Sequence, residues 1–164
     1  MTSDPLEILL KHNQWANREM ILACGRLTPE QFHRRFEMGP GSLHDTVTHI
    51  LGSMRNWGDA LAGREERARL ENSQHTTDEL LTLLDEISAD LVHTIFAHPL
   101  DETFTRTRGG KVFTFTRGAV ITHVTTHAMH HRAQCLNMLR QLGVAPLPPS
   151  GVVEWVRWVD APQQ

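Results

Sequence analysis

Apolar residues recur at helical spacing in four long stretches of this chain, each bounded by residues that cap or break helices. In the first, Leu6, Leu9, Leu10, Trp15, Met20 and Ile21 are the apolar candidates of a helix over residues 4–24. Ser3 is placed to cap it, Pro5 suits its first turn, and Gly25 suits its end. In the second, Leu43, Val47, Ile50, Met54, Trp57 and Leu61 step by four and three residues from a cap at Ser42 to a stop at Gly63. The third opens on a capping box, Thr76 with Glu79, and carries Leu80, Leu83, Leu84, Ile87, Leu91 and Ile95 before Pro99 ends it. The fourth starts at Thr116 and ends at Gly143, with a stripe of Val120, Val124, His127, His131, Cys135, Met138 and Leu142.

The intervening segments have other patterns. Thr28, Pro29, Glu30 and Gln31 signal a short helical piece reaching about residue 36, and GPGS at residues 39–42 reads as a loop. Residues 64–74 alternate in charge, most simply a solvated connection. The run TFTRTRGGKVFTFT changes the period from helical to alternating around Gly109 and Gly110, the pair that a tight two-residue turn wants. A short β-hairpin is expected there. The tail begins as a Pro-rich strap and closes with Val153, Trp155, Val156 and Val159, which need to be buried across the bundle mouth or in a dimer contact. The expected fold class is therefore all-α: a four-helix bundle with a short β-hairpin between helices 3 and 4, forming one domain over residues 1–164.

Bulk composition narrows the function classes. The 164 residues, 40% hydrophobic and 21% charged, describe a globular chain, and a net charge of −3 argues against a nucleic-acid surface as its main business. No basic, apolar leader opens the sequence and no window resembles a membrane span, so a cytoplasmic protein without membrane partners is expected. Cys24 and Cys135 make no disulfide framework, which fits a reducing compartment. The compositional oddity is the 11 histidines.

Two of them stand on the fourth stripe, where leucines are expected. His127 and His131 are four residues apart, so their Cβ atoms lie about 6 Å apart on one helical face, close enough for both rings to reach one metal ion. His123 and Cys135 extend the row by a turn each way but drift by about 40° per step, and His130 points elsewhere. Satisfaction by ordinary hydrogen bonds in the core is the competing reading. His49 lies about 120° from the centre of the second helix's stripe, which makes it a flank residue. Asn13 and Asn17, beside Trp15, fit an exposed polar face as well as a site wall.

The segments HNQWAN, GSLHDTVTHILGSMRNW and HVTTHAMHHRAQ together resemble the DinB-like (DinB/YfiT-like) metalloenzyme superfamily of four-helix bundles, in order and over nearly the whole chain. That resemblance implies a divalent metal held by His49, His127 and His131, overriding the flank assignment of His49. Metal-binding imidazoles need partners that orient them, and His123 or Gln134 is the candidate for that role; the apolar tail and the resemblance together favour a homodimer. Where related sequences often read HRGQ, this one has Ala133.

Three neutral imidazoles leave the ion its charge and an open position, which lowers the pKa of bound water toward about 7 on zinc or ionises a thiol. The nitrogen donor set favours zinc or nickel. The resemblance further implies a small-molecule reaction in which a low-molecular-weight thiol is the co-substrate, making the expected function that of a metal-dependent thiol S-transferase. Arg106, Arg108 and Arg117, with Lys111, are candidates to bind carboxylates of such a thiol. Two alternatives stand beside it. One is a metal-dependent hydrolase using Asp45 as base; the other is a non-catalytic, metal-stabilised, stress-associated bundle whose site Cys135 would close.

Overall fold

The computed structural model describes residues 2–160. Its long helices are α1 (Pro5–Cys24), α3 (Leu43–Leu61), α4 (Thr77–Phe96) and α5 (Arg117–Gln141), with short helices α2 (Pro29–Phe32) and α6 (Val152–Trp155). Strands β1 (Thr103–Arg108) and β2 (Lys111–Thr116) form an antiparallel hairpin in the register Thr103 to Thr116 through Arg108 to Lys111. Gly109 and Gly110, at φ 57° and 75°, supply the two left-handed positions of its turn. The four-helix bundle with a hairpin between its third and fourth long helices is thus the observed architecture. No helix among the described residues is long and apolar enough to cross a membrane.

The caps follow local chemistry. The side chain of Ser42 accepts from the amide of Asp45, and the capping boxes of Thr28 with Gln31 and Thr76 with Glu79 are both closed. At the first helix the cap is Asp4, one residue later than Ser3, because the carboxylate of Asp4 accepts the Leu6 amide across the ring of Pro5. The short helix α2 stops at Phe32, whose side chain is buried, and does not run on to residue 36.

Both α1 and α3 pack against α4 and α5, so α1 faces α3 across the core and α4 faces α5. The connection from α4 to α5 therefore crosses a diagonal, and the hairpin fills it. Thr116 ends β2 and caps α5 at once, its hydroxyl accepting the Ala119 amide. With no linker between strand and helix, the hairpin is held beside the N-terminal half of α5. Of the tail's apolar residues, Trp155 is buried against the bundle while Val153 and Val159 are exposed, as is Trp158. His12 of α1 bonds the carbonyl of Ser150 at 2.9 Å, fastening the strap that leads there.

Candidate metal centre

Of the stripe on α5, Val120, Val124, Cys135 and Met138 are buried as their periodicity implies, and an adjoining row that the apolar pattern does not mark is buried beside them. Ile121, Thr125, Ala128, Arg132, Cys135 and Leu139 are buried, stepping by four and three residues. His127 and His131 lie beside that row and are half-buried. Arg132 hid the register, since an arginine is expected outside. Here it is 2% exposed, donating to Asn13 Oδ1 at 2.8 Å and Asn17 Oδ1 at 3.1 Å on α1. The two asparagines are therefore buried acceptors for this cation rather than a solvated face.

His49 is a flank residue of α3, 35% exposed, and flank residues of α3 and α5 meet at the rim of the seam between the helices. There the rings of His49, His127 and His131 converge, with centroids 5.0 Å, 4.7 Å and 4.5 Å apart pairwise. One nitrogen from each lies within 4.8 Å of those of the other two, and among the described residues this trio is the group of potential ligands placed to share an ion.

Neighbouring groups settle which nitrogens are available. His49 Nδ1 lies 3.1 Å from Glu71 Oε1 and donates to that carboxylate, leaving Nε2 with its lone pair. His131 Nδ1 donates to Gln134 Oε1 at 2.8 Å, and the amide of Gln134 donates in turn to His130 Nε2 at 3.1 Å. Burial, reinforced by His131, His49, His123 and His130 in that order, pulls the pKa of His127 down from 6.5 to about 4. Burial likewise lowers that of His131. His49 and His131 each have Nδ1 tied back and Nε2 left free, and burial disfavours the charged form of His127 and His131, so the donor set fits a divalent cation.

Glu71 was hidden in the alternating charges of residues 64–74. Leu70, 6% exposed, plugs into the core and carries a single 3₁₀ turn (Leu70–Asn72) over α3, which sets Glu71 against His49. A side chain at Gly52 would stand 3.0 Å from Glu71 Oε2. Gly39, at φ +50°, is equally constrained, because a Cβ there would lie 2.2 Å from Gln134 Oε1. Replacing either orienting group, as Glu71→Ala or Gln134→Ala, is expected to weaken zinc binding about 10–100-fold. Gly39→Ala should weaken it in the same direction by displacing Gln134. Competition against a chromophoric chelator reads these losses, and unchanged affinity in Glu71→Ala would remove that residue from the account.

The pKa shifts also set a pH response. Between about 4 and 6.5 the unfolded chain binds a proton at His127 that the folded, metal-free chain does not. Stability of the metal-free protein should therefore rise with pH across that window and level off above it. Thermal melts after chelation test this; a midpoint that is flat or falls from pH 4 to 6.5 would contradict it.

The remaining predicted residues separate. A cavity of about 430 Å³ opens beside the trio, lined by His49, His127 and His123 together with Trp57, Arg106 and Arg108. His123 stacks edgewise on Trp57 at 5.6 Å and lies 5.3 Å from His127, but it bonds none of the three ligand rings, so Gln134 rather than His123 is the group seen orienting one. Arg106 lies over the Trp57 ring at 4.9 Å. Arg117 does not join this wall. Buried at the start of α5, it donates to the carbonyls of Leu61 and Thr94, closing the ends of α3 and α4. Asp45 is held by Arg35 at 2.6 Å and by His44 at 3.2 Å, and it does not line the cavity. Cys135 is fully buried in the core and outside the trio, and burial raises its pKa.

Comparison with known proteins follows the same outline. The family model described as DinB family matches residues 1–155. The chain is 21% identical over 142 residues to the uncharacterized protein YizA of Bacillus subtilis (strain 168), covering 85% of this chain and 89% of that one. It also superposes on the crystal structure of a DinB-like protein, YjoA, from Bacillus subtilis with a TM-score of 0.60, covering 87% of this chain and 96% of that one at 16% identity. At that identity the likeness concerns the fold alone.

Proposed function

This chain belongs to the DinB family, and on that premise we propose that it is a divalent-metal-dependent thiol S-transferase acting on small molecules. The observation that supports this most is a trio of converging imidazoles beside a cavity that His49 and His127 line, with no fourth side chain among the described residues positioned to complete it. A divalent ion held by His49, His127 and His131, zinc or nickel by donor softness, supplies the positive charge that keeps a thiol ionised at neutral pH. The protein's own part is to hold the rings, through Glu71 and Gln134, and to shape the chamber that receives both reactants.

The transfer balances as a substitution. The thiol yields its proton to His123 at the cavity wall, its sulfur bonds to the electrophilic carbon, and the leaving group departs with the bonding pair. Next to the first cavity, Trp57, Phe113, Phe115, Ala119 and Val120 line an apolar one of about 370 Å³ that shares Trp57, Arg106, Arg108 and His123 with it. That wall suits an apolar electrophile. Hydrolysis has less support because Asp45 is engaged elsewhere, and a closed, purely stabilising site has less because Cys135 lies outside the trio. The exposed Val153, Trp158 and Val159 support a homodimer, which sedimentation velocity reads as mass.

The activity test is consumption of an aryl or alkyl halide by a small thiol. Turnover is expected with metal-loaded protein and is expected to vanish after chelation and return on adding zinc or nickel. Equal rates before and after chelation would overturn the proposal.

A further inference from the structure

On α3 the residues His49, Gly52, Asn56 and Asp59 step by three and four, so they share one face of the helix. The connection between α3 and α4 runs back along that face. Arg64 and Arg67 meet Asp59, Glu66 Oε1 accepts from the amide of Asn56 at 3.2 Å, and Glu71 lies over Gly52 beside His49. Arg55 adds a donor to the carbonyl of Ala68.

Asp59 is the unusual member of the row. It is a carboxylate only 2% exposed, with Arg64 Nε donating to Oδ1 at 2.9 Å. Arg67 grips it twice, from Nε to Oδ2 at 2.8 Å and from a terminal nitrogen to Oδ1 at 2.9 Å. A carboxylate at that depth is costly unless cations reach it, and both cations belong to the connection. Pairing therefore draws the connection down onto α3. Arg64 also pairs with Asp90, which ties the same point to α4.

Nothing else on the connection is sufficient to hold it. Leu70 is its one buried residue between positions 62 and 76, and burying a leucine offsets the backbone ordering of about one or two residues. Glu71 is not anchored by its own second oxygen: Oε1 meets His49, while Oε2 is buried with no hydrogen-bond partner among the described residues. The carboxylate goes where its backbone is held. Asp59 stands ten residues from His49, about 15 Å along the helix, too far to touch the ring itself.

We propose that Asp59 is a positioning residue for the histidine site. By clamping Arg64 and Arg67 it fixes the connection and seats Glu71 against His49 Nδ1, so that His49 keeps its proton on Nδ1 and presents Nε2. This deepens the metal-site reading and rests on it for the zinc measurement below, but the state of the His49 ring is read without metal.

The first measurement is long-range proton–nitrogen correlation on the His49 imidazole of metal-free protein, at a pH above the histidine titration range. Wild-type protein should carry the proton on Nδ1, because the bond to Glu71 selects that tautomer. Asp59→Asn should move the ring toward the Nε2-protonated form, and Glu71→Ala should move it at least as far. Arg67→Gln, a change at an exposed side chain, should act in the same direction, so the test does not depend on the Asp59 variant folding. The second measurement is zinc affinity by chelator competition. Asp59→Asn should weaken binding about tenfold, and in a Glu71→Ala background it should weaken it by less than about twofold.

A His49 ring that stays protonated on Nδ1 in both Asp59→Asn and Arg67→Gln would overturn the inference. So would equal weakening of zinc binding by Asp59→Asn with and without Glu71, since Asp59 would then act through general stability. Wild-type protein that binds no zinc, but whose His49 tautomer follows Asp59, would keep the positioning role and reject the metal site.

Discussion

His49→Ala, His127→Ala and His131→Ala should each purify without stoichiometric zinc or nickel, whereas His123→Ala and His130→Ala should retain it. The expected loss exceeds the 10–100-fold that follows from disturbing an orienting group alone, because a donor atom itself is removed. The contrast within α5 is the informative part. All four of its histidines cluster, with neighbouring ring centroids 4.5–5.3 Å apart, so proximity alone does not separate ligands from bystanders. Nitrogen availability does: His131 is tied back by Gln134, and His130 Nε2 accepts from the same amide and is thereby occupied. Elemental analysis of tag-free protein decides it. Metal surviving His49→Ala would mean that α3 contributes no ligand, and the site would have to be rebuilt on α5 alone.

Asn17→Leu should destabilise the fold by about 3 kcal/mol, lowering the melting temperature by roughly 6–12 °C. Arg132 is a buried cation whose acceptors are two neutral amides, and burial brings its pKa down to about 10. Removing one acceptor strands the charge, which costs more than removing the charge itself. Arg132→Met should therefore be the milder change, and adding Asn17→Leu to it should cost much less than Asn17→Leu does alone. Chemical denaturation of the two single variants and the double variant measures that coupling. Strict additivity would mean that the amide contacts carry no energy. Arg132 adjoins His131, so this bond also fixes α5 against α1 at the level of the candidate site.

The same arginine shows where sequence reading stopped. Caps and turns were legible because they depend on neighbours in the chain: Thr76 with Glu79, Ser42 with Asp45, and Gly109 with Gly110 all act as their spacing implies. The apolar stripe of α3 was legible because its members are apolar. On α5 the periodicity marked Val120, Val124, Cys135 and Met138, which are buried, but passed over the adjoining buried row that contains Thr125 and Arg132. Family resemblance, not spacing, brought in His49. Its flank position turned out to be compatible, since the trio assembles at the rim of a helix seam and not in the middle of the core. Glu71 could not be read from a segment of alternating charge, where nothing local distinguishes one carboxylate from another. Leu70, the one buried apolar residue beside it, was the available signal. Arg117, grouped by charge with the hairpin arginines, is drawn inside by the free carbonyls at two helix ends.

The most direct test of the central claim is an absorption titration of cobalt-substituted protein with a small thiol at neutral pH. A three-histidine site with an open position predicts no sulfur-to-cobalt charge-transfer band in the protein alone, and its appearance in proportion to thiol up to one equivalent per site. A band present before any thiol is added would place Cys135 on the metal and make the site structural. A spectrum unmoved by thiol at saturation would contradict the proposal that the metal centre receives it.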